Sequence, residues 1–267
     1  MTTRPDPPRD GEFGASDPAD AMVRLVTVKP FIAHLKSKLV DVKAPLRHLG
    51  LSEAAVADPD RLVHAEVIYG LLNDLGRIAN DPFLGVRVAE ETPIGKWLYM
   101  QDAVSGTPTL GEALTRMIEA VPAYGASVRH SLEIGARFST YRIVRPFRTR
   151  SAPVHPDGLG VALHLKIFDH LDGGWTPSGV TVTTRHPEAI PQGYRGVRVL
   201  RTDEDKLEIA FPTAWCARPL RIARLPPDAR DAPQNATSLV AALEVVAANR
   251  LPEGPKRLKA KVAADLG

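Results

Sequence analysis

Eight histidines and one cysteine are the residues of this chain best suited to chemistry. The histidines are His34, His48, His64, His130, His155, His164, His170 and His186. Metal binding on a helix needs two such side chains on one face, four residues apart. No helical pair has that spacing. His164 and His170 read as sharing a helix, where a six-residue separation puts them on opposite sides. Asp169 and His170 are adjacent, so their side chains diverge and form no dyad. GxGxxG, GxxxxGK[ST], GxSxG and HExxH are all absent. We therefore expect no catalytic residue, no metal and no cofactor. Cys216 lies beside Trp215 and reads as a small packing residue.

Two histidines invite a second reading. His164 falls among Val161, Leu165 and Phe168 on an apolar helical face. It is either a core histidine bonded to a backbone carbonyl or a polar group aimed into a ligand cavity. Ligand cavities are mostly apolar with a few placed polar groups. His130 falls on the inward face of a strand and has the same two readings. Trp97 and Tyr99 read as helix-to-sheet packing.

The elements that must position these residues follow from periodicity. Residues 1–21 are rich in Pro, Asp and Gly with almost no apolar partners, and we expect a disordered tail there. Pro30 suits a first helical position, and Phe31, Leu35 and Leu39 follow at four-residue spacing. Between Arg61 and Asn80, Val67, Ile68, Leu71, Leu72, Leu75 and Ile78 fall on one helical face. Asp81-Pro82 ends that helix. Residues 94–100 read as helical and partly buried. Thr109 and Glu112 have capping-box spacing ahead of Leu110, Leu114, Met117 and Val121. After Tyr124 the period changes to two. Residues 129–134 and 138–144 read as a β-hairpin around Gly135-Ala136. A strongly apolar helix follows over 159–171, ended by Gly173-Gly174. Strands are expected over 180–184, 197–200 and 207–211, the last two joined by the polar turn at 202–205. This order predicts an α+β fold, an N-terminal helical layer packed on a mainly antiparallel sheet with flanking helices.

Composition narrows the function classes. Hydrophobic residues make up 44% and charged residues 24%, which excludes a fibrous or wholly disordered chain. No apolar run approaches the roughly 18 residues of a membrane span. The first twenty residues hold four prolines and no apolar stretch, and do not read as a signal peptide. With one cysteine no internal disulfide forms, and a cytoplasmic location is expected. A net charge of +3 is too weak to argue for nucleic acid by itself.

Four strings carry a resemblance. LGLSEAAVADPDRLV (49–63), NDPFLGVRVAE (80–90), SGTPTLGEAL (105–114) and FPTAWCARPL (211–220) occur in this order. Together they resemble the N-terminal effector-binding, arabinose-binding-like domain of AraC-type transcription regulators, of the OruR and VirS type. TPTLGEAL and FPTAWCARPL are the most specific pieces. The resemblance covers about residues 25–222. It departs at Cys216, where an aliphatic residue is commoner, and it does not imply arabinose as ligand.

The resemblance implies an effector-binding domain over 22–225 and a C-terminal DNA-binding domain of two helix-turn-helix motifs. Residues 226–267 then read as a linker helix and the start of that domain. Leu258, Val262 and Leu266 would line its first helix, with the recognition helix lacking. The expected function is effector sensing, with dimerisation, for an AraC-type regulator. The alternative is a stand-alone interaction protein that pairs with a full-length relative and blocks its dimer. The expected partners are a small-molecule effector of the apolar or aromatic acid class and a second copy of the chain. DNA is contacted only through the C-terminal motifs, and no membrane is involved. The effector pocket is expected between the sheet and the His164 helix, lined by Tyr99, His130, Tyr141, His164 and Phe168. Arg142 and Arg145 are available to pair with an effector carboxylate, or else lie on a solvated strand face.

Overall fold

The computed structural model describes residues 21–97, 100, 107–148 and 150–222. The helical half begins with α1 (Lys29–Ser37), which carries Pro30 in its first turn. It continues through α2 (Lys43–His48), α3 (Glu53–Ala57), α4 (Ala65–Ile78) and α5 (Leu84–Glu91). After the undescribed stretch come α6 (Leu110–Ala120) and, beyond a hairpin, α7 (Val154–Phe168). Side chains that accept first-turn N–H groups fix three of the starts. Ser52 caps α3 through Ala55 N at 3.1 Å, and the His64 Nδ1 caps α4 through Glu66 N at 3.1 Å. Thr109 caps α6 through Glu112 N at 3.3 Å, as its spacing predicts.

The strands are β1 (Met22–Arg24), β2 (Leu62–His64), β3 (Arg129–Ile134), β4 (Phe138–Val144), β5 (Thr181–Thr184), β6 (Arg198–Arg201) and β7 (Lys206–Pro212). β1 and β2 form a small antiparallel pair. The other five make one sheet in the order β3-β4-β7-β5-β6. Among the described strands only the β5–β6 pair is parallel. A parallel neighbour needs a long crossover, and residues 185–197 supply it through two 3-10 turns.

Alternation sorts the sheet into two faces. Tyr141, Ile143, Val182, Leu207, Ile209 and Phe211 are buried on the inner face. Arg142, Thr183 and Glu208 lie on the outer face, less buried. Against the inner face lies α7, apolar nearly all round, as a helix packed on several sides must be. It touches α5 most closely, then α4. Glycines permit these approaches. A Cβ on Gly160 would stand 2.9 Å from Leu207 Cδ2, and one on Gly85 would meet the His155 carbonyl. Lys166, near the end of α7, donates to the carbonyls of Ala89, Glu90 and Thr92 at 2.9, 2.7 and 2.8 Å. It thereby satisfies acceptors at the C-terminus of α5. The molecule is therefore an α+β fold in which helices and sheet enclose α7.

Several sequence expectations need correction. Leu39 is not part of the α1 face. It follows the helix at φ +60° and is 95% exposed. Ile78, at the last turn of α4, is 46% exposed because the chain leaves the core at Asn80. Of the stretch 94–100, residues 94–96 form a 3-10 turn and Met100 is helical, with Ile94, Trp97 and Met100 buried as expected; residues 98 and 99 lie outside the described residues. The apolar helix starts at Val154, five residues before Leu159, and ends at Phe168. His170 therefore follows the helix and does not share it with His164. The polar turn at 202–205 does not join neighbouring strands, because β5 separates β6 from β7.

Candidate functional site

The inner face of the sheet holds a polar group inside an apolar layer. On β3, His130 stands opposite Ile143 of β4, and Leu132 stands opposite Tyr141. Tyr141 is fully buried, and its hydroxyl lies 2.7 Å from His130 Nδ1. The Tyr141 ring is also 4.3 Å from the His164 ring, centroid to centroid. His164 comes from α7 and is 3% exposed. Three side chains from β3, β4 and α7 thus meet as His130–Tyr141–His164.

His164 satisfies half of each sequence reading. Its Nδ1 lies 2.7 Å from the Gly160 carbonyl, one turn back on the same helix. A carbonyl only accepts, so Nδ1 carries the proton and Nε2 presents a bare lone pair. Nε2 is buried and has no partner among the described residues. Burial pushes the His164 ring down to about 4, opposed by the Gly160 bond. Burial, then the nearby His164 and Arg145, pushes His130 down to about 3. Both rings are therefore neutral at pH 7. The group can accept a hydrogen bond in a dry setting, where an unpaired acceptor is costly.

The remaining sequence candidates lie elsewhere. Phe168 is one turn beyond His164 and belongs to a ring cluster. Its centroid lies 5.2 Å from Phe211, 5.5 Å from Trp215 and 6.0 Å from Trp175. Arg142 is on the outer face of β4, paired with Glu208 at 2.6 Å and with Glu133 at 3.4 Å. The structure does not bring it to His130 and His164. Arg145, just past β4, turns inward and pairs with Asp157 in the first turn of α7. Asp157 also accepts from Thr184 Oγ1 at 2.9 Å. Tyr99 lies outside the described residues, as do Leu258, Val262 and Leu266.

Sequence reasoning missed a second polar region. Arg145, Arg148, Arg150, Arg185, His186 and Asp205 line a cleft of about 210 Å³. The signal was the run RPFRTR at 145–150, three arginines in six residues directly after a strand. Two larger clefts, about 480 and 460 Å³, lie beside His155 and beside Lys43. His130, Tyr141, His164 and Phe168 line none of these three.

Residues 40–220 match the family described as the arabinose-binding domain of AraC transcription regulators, N-terminal. The match spans 181 of 267 residues, and the chain belongs to this family. No curated protein matches it. Among solved structures the chain is similar to the transcriptional regulator CdpR from Pseudomonas aeruginosa, at 14% identity and a TM-score of 0.48. That match covers 73% of this chain and 57% of the CdpR chain, so this chain spans little more than half of that regulator. No described helix is long and apolar enough to cross a membrane.

Proposed function

We propose that residues 22–225 form the effector-sensing and dimerisation domain of an AraC-family regulator, with no catalytic role of their own. Reading DNA falls to helix-turn-helix elements outside the described residues. The observation that carries the reading is the bare Nε2 of His164, held in an apolar layer beside Tyr141 and His130. Such an acceptor is matched by a ligand with an apolar body and a hydrogen-bond donor. A hydroxyl or a protonated carboxylic acid fits, in keeping with the apolar or aromatic acid expected from the sequence. The ligand binds one arrangement of α7 against the sheet more tightly and shifts the population toward it. Phe168, one turn along α7, connects that position to the ring cluster.

The test is thermal unfolding of the full chain against a panel of aromatic acids and phenols, beside His164→Leu. A true effector at 100 times its dissociation constant adds about 2.7 kcal/mol of stability. We expect a saturable rise with one class of compound and its loss in His164→Leu. A ligand that raises the melting temperature of both proteins equally would remove His164 from the site. Sedimentation velocity with and without that ligand tests the dimer.

A further inference from the structure

The cleft after β4 concentrates positive charge far beyond the chain average. Among the described residues, Arg145, Arg148, Arg150 and Arg185 face it, with Asp205 as its one lining carboxylate. With His186 counted neutral, the lining residues sum to +3, and the buried Asp157 behind them offsets the charge of Arg145. Like charges held together destabilise a fold unless an anion offsets them.

Their donors are only partly used. Asp205 is shared, 2.9 Å from Arg185 and 3.8 Å from Arg148. The Arg148 side chain is 87% exposed at the mouth of the cleft. Arg150 makes no ion pair among the described residues; its backbone N–H donates to Glu66 at 2.7 Å. Ser151 donates to the same carboxylate through N, at 2.7 Å, and through Oγ, at 2.6 Å. Glu66 thus pins the loop that carries the arginines without neutralising their guanidinium groups. Arg145 forms the floor. Its side chain is 5% exposed, Nη2 is given to Asp157, and the buried Nε has no partner among the described residues. The 15-residue helix α7 begins at this cleft, after Pro153, and its N-terminal dipole adds to the positive field.

We propose that this cleft is a second ligand site, taking a small oxyanion-bearing dianion. A phosphate monoester carries both charges on one group, and a short dicarboxylate carries them on two carboxylates. Planar guanidinium forks match paired oxygens on either. The concave shape and the small volume of the cleft favour a small anion over a nucleic-acid backbone. The site goes beyond the effector reading, because none of His130, Tyr141 and His164 lines it. Either site can fail without the other.

The test uses the full chain with sodium phosphate, disodium succinate and sodium chloride at matched ionic strength, so that screening is equal. Thermal unfolding and titration calorimetry are read together. We expect phosphate or succinate to bind saturably and raise the melting temperature above the chloride control. The stronger of the two names the source, phosphate ester or dicarboxylate. Arg148→Gln combined with Arg185→Gln leaves the Arg145–Asp157 pair intact and should weaken that binding at least tenfold. If this variant does not fold, Arg150→Gln carries the test, since it breaks no ion pair among the described residues. Equal responses to all three salts overturn the proposal. So does unchanged binding in the folded variant. Binding of a random DNA duplex through these arginines, with no response to either small dianion, also overturns it.

Discussion

Arg145 and Asp157 form an ion pair that joins the end of β4 to the first turn of α7, with side chains 5% and 0% exposed. Removing one partner from such a pair strands a buried charge. Asp157→Ala should lower the unfolding free energy by about 3–5 kcal/mol. Arg145→Met combined with Asp157→Leu should cost less than Asp157→Ala alone. Urea melts of the single and double variants check this, and additive losses would contradict it.

His164→Leu should be close to neutral in the absence of ligand. The change gives up the bond to Gly160, worth about 0.5–1.5 kcal/mol. It also removes a buried Nε2 without a partner, which costs a comparable amount. The Gly160 carbonyl keeps its place in the helical ladder, since it accepts the N–H of residue 164. A loss above about 2 kcal/mol in a denaturant melt would mean that Nε2 has a partner in solution.

Stability should fall as the solution is acidified below the ordinary histidine range. His164 and His130 are lowered to about 4 and about 3 in the folded chain. The unfolded chain takes up these protons first, at about pH 6.5. Stability is therefore fully present above pH 6.5 and is lost as pH drops toward 4 and then 3. Each histidine contributes a slope approaching about 1.4 kcal/mol per pH unit within its window. The enclosed His164 contributes more of this than His130, which is partly open at the edge strand. His164→Leu should flatten the profile between pH 4 and 6. An unchanged slope would show that carboxylates dominate it.

Gly85→Ala and Gly160→Ala should differ sharply. At Gly85 the new methyl meets the backbone carbonyl of His155, so α5 and α7 must part. A cost of about 1–3 kcal/mol or more is expected. At Gly160 the methyl meets the ends of two side chains, Leu207 at 2.9 Å and Ile143 at 3.6 Å, and no backbone. Alanine also gains about 1 kcal/mol of helix propensity there. Thermal melts of the two variants should therefore order them clearly, with Gly160→Ala near wild type.

The architecture was legible where a single period dominated. Alternation over 129–144 fixed the hairpin, and the strings TPTLGEAL and FPTAWCARPL pointed to the family that the match then established. Helix ends were harder. Nothing in local pattern says that His155 and Asp157, polar residues around a proline, begin an apolar helix. Asp157 is tolerated there because Arg145 and Thr184 meet it from distant segments. Strand order was hidden for the same reason, since the partners of β7 lie in β4 and β5. Of the expected site, His130, Tyr141 and His164 do come together. Arg142 does not, because one step along a strand reverses the face. The arginine cleft needed the fold, because Arg185 and Asp205 reach it from parts of the chain remote from residues 145–150.

Among the described strands, the seventh is last in sequence but central in the sheet, between β4 and β5. A ribosome makes about 5–20 residues per second. The β3–β4 hairpin is therefore complete several seconds before the strand that covers its open edge exists. Through that interval it exposes an unpaired edge and the apolar side chains of Tyr141 and Ile143, the template for wrong pairing. Efficient production of this chain then depends on what shields the nascent hairpin, as much as on the stability of the finished fold.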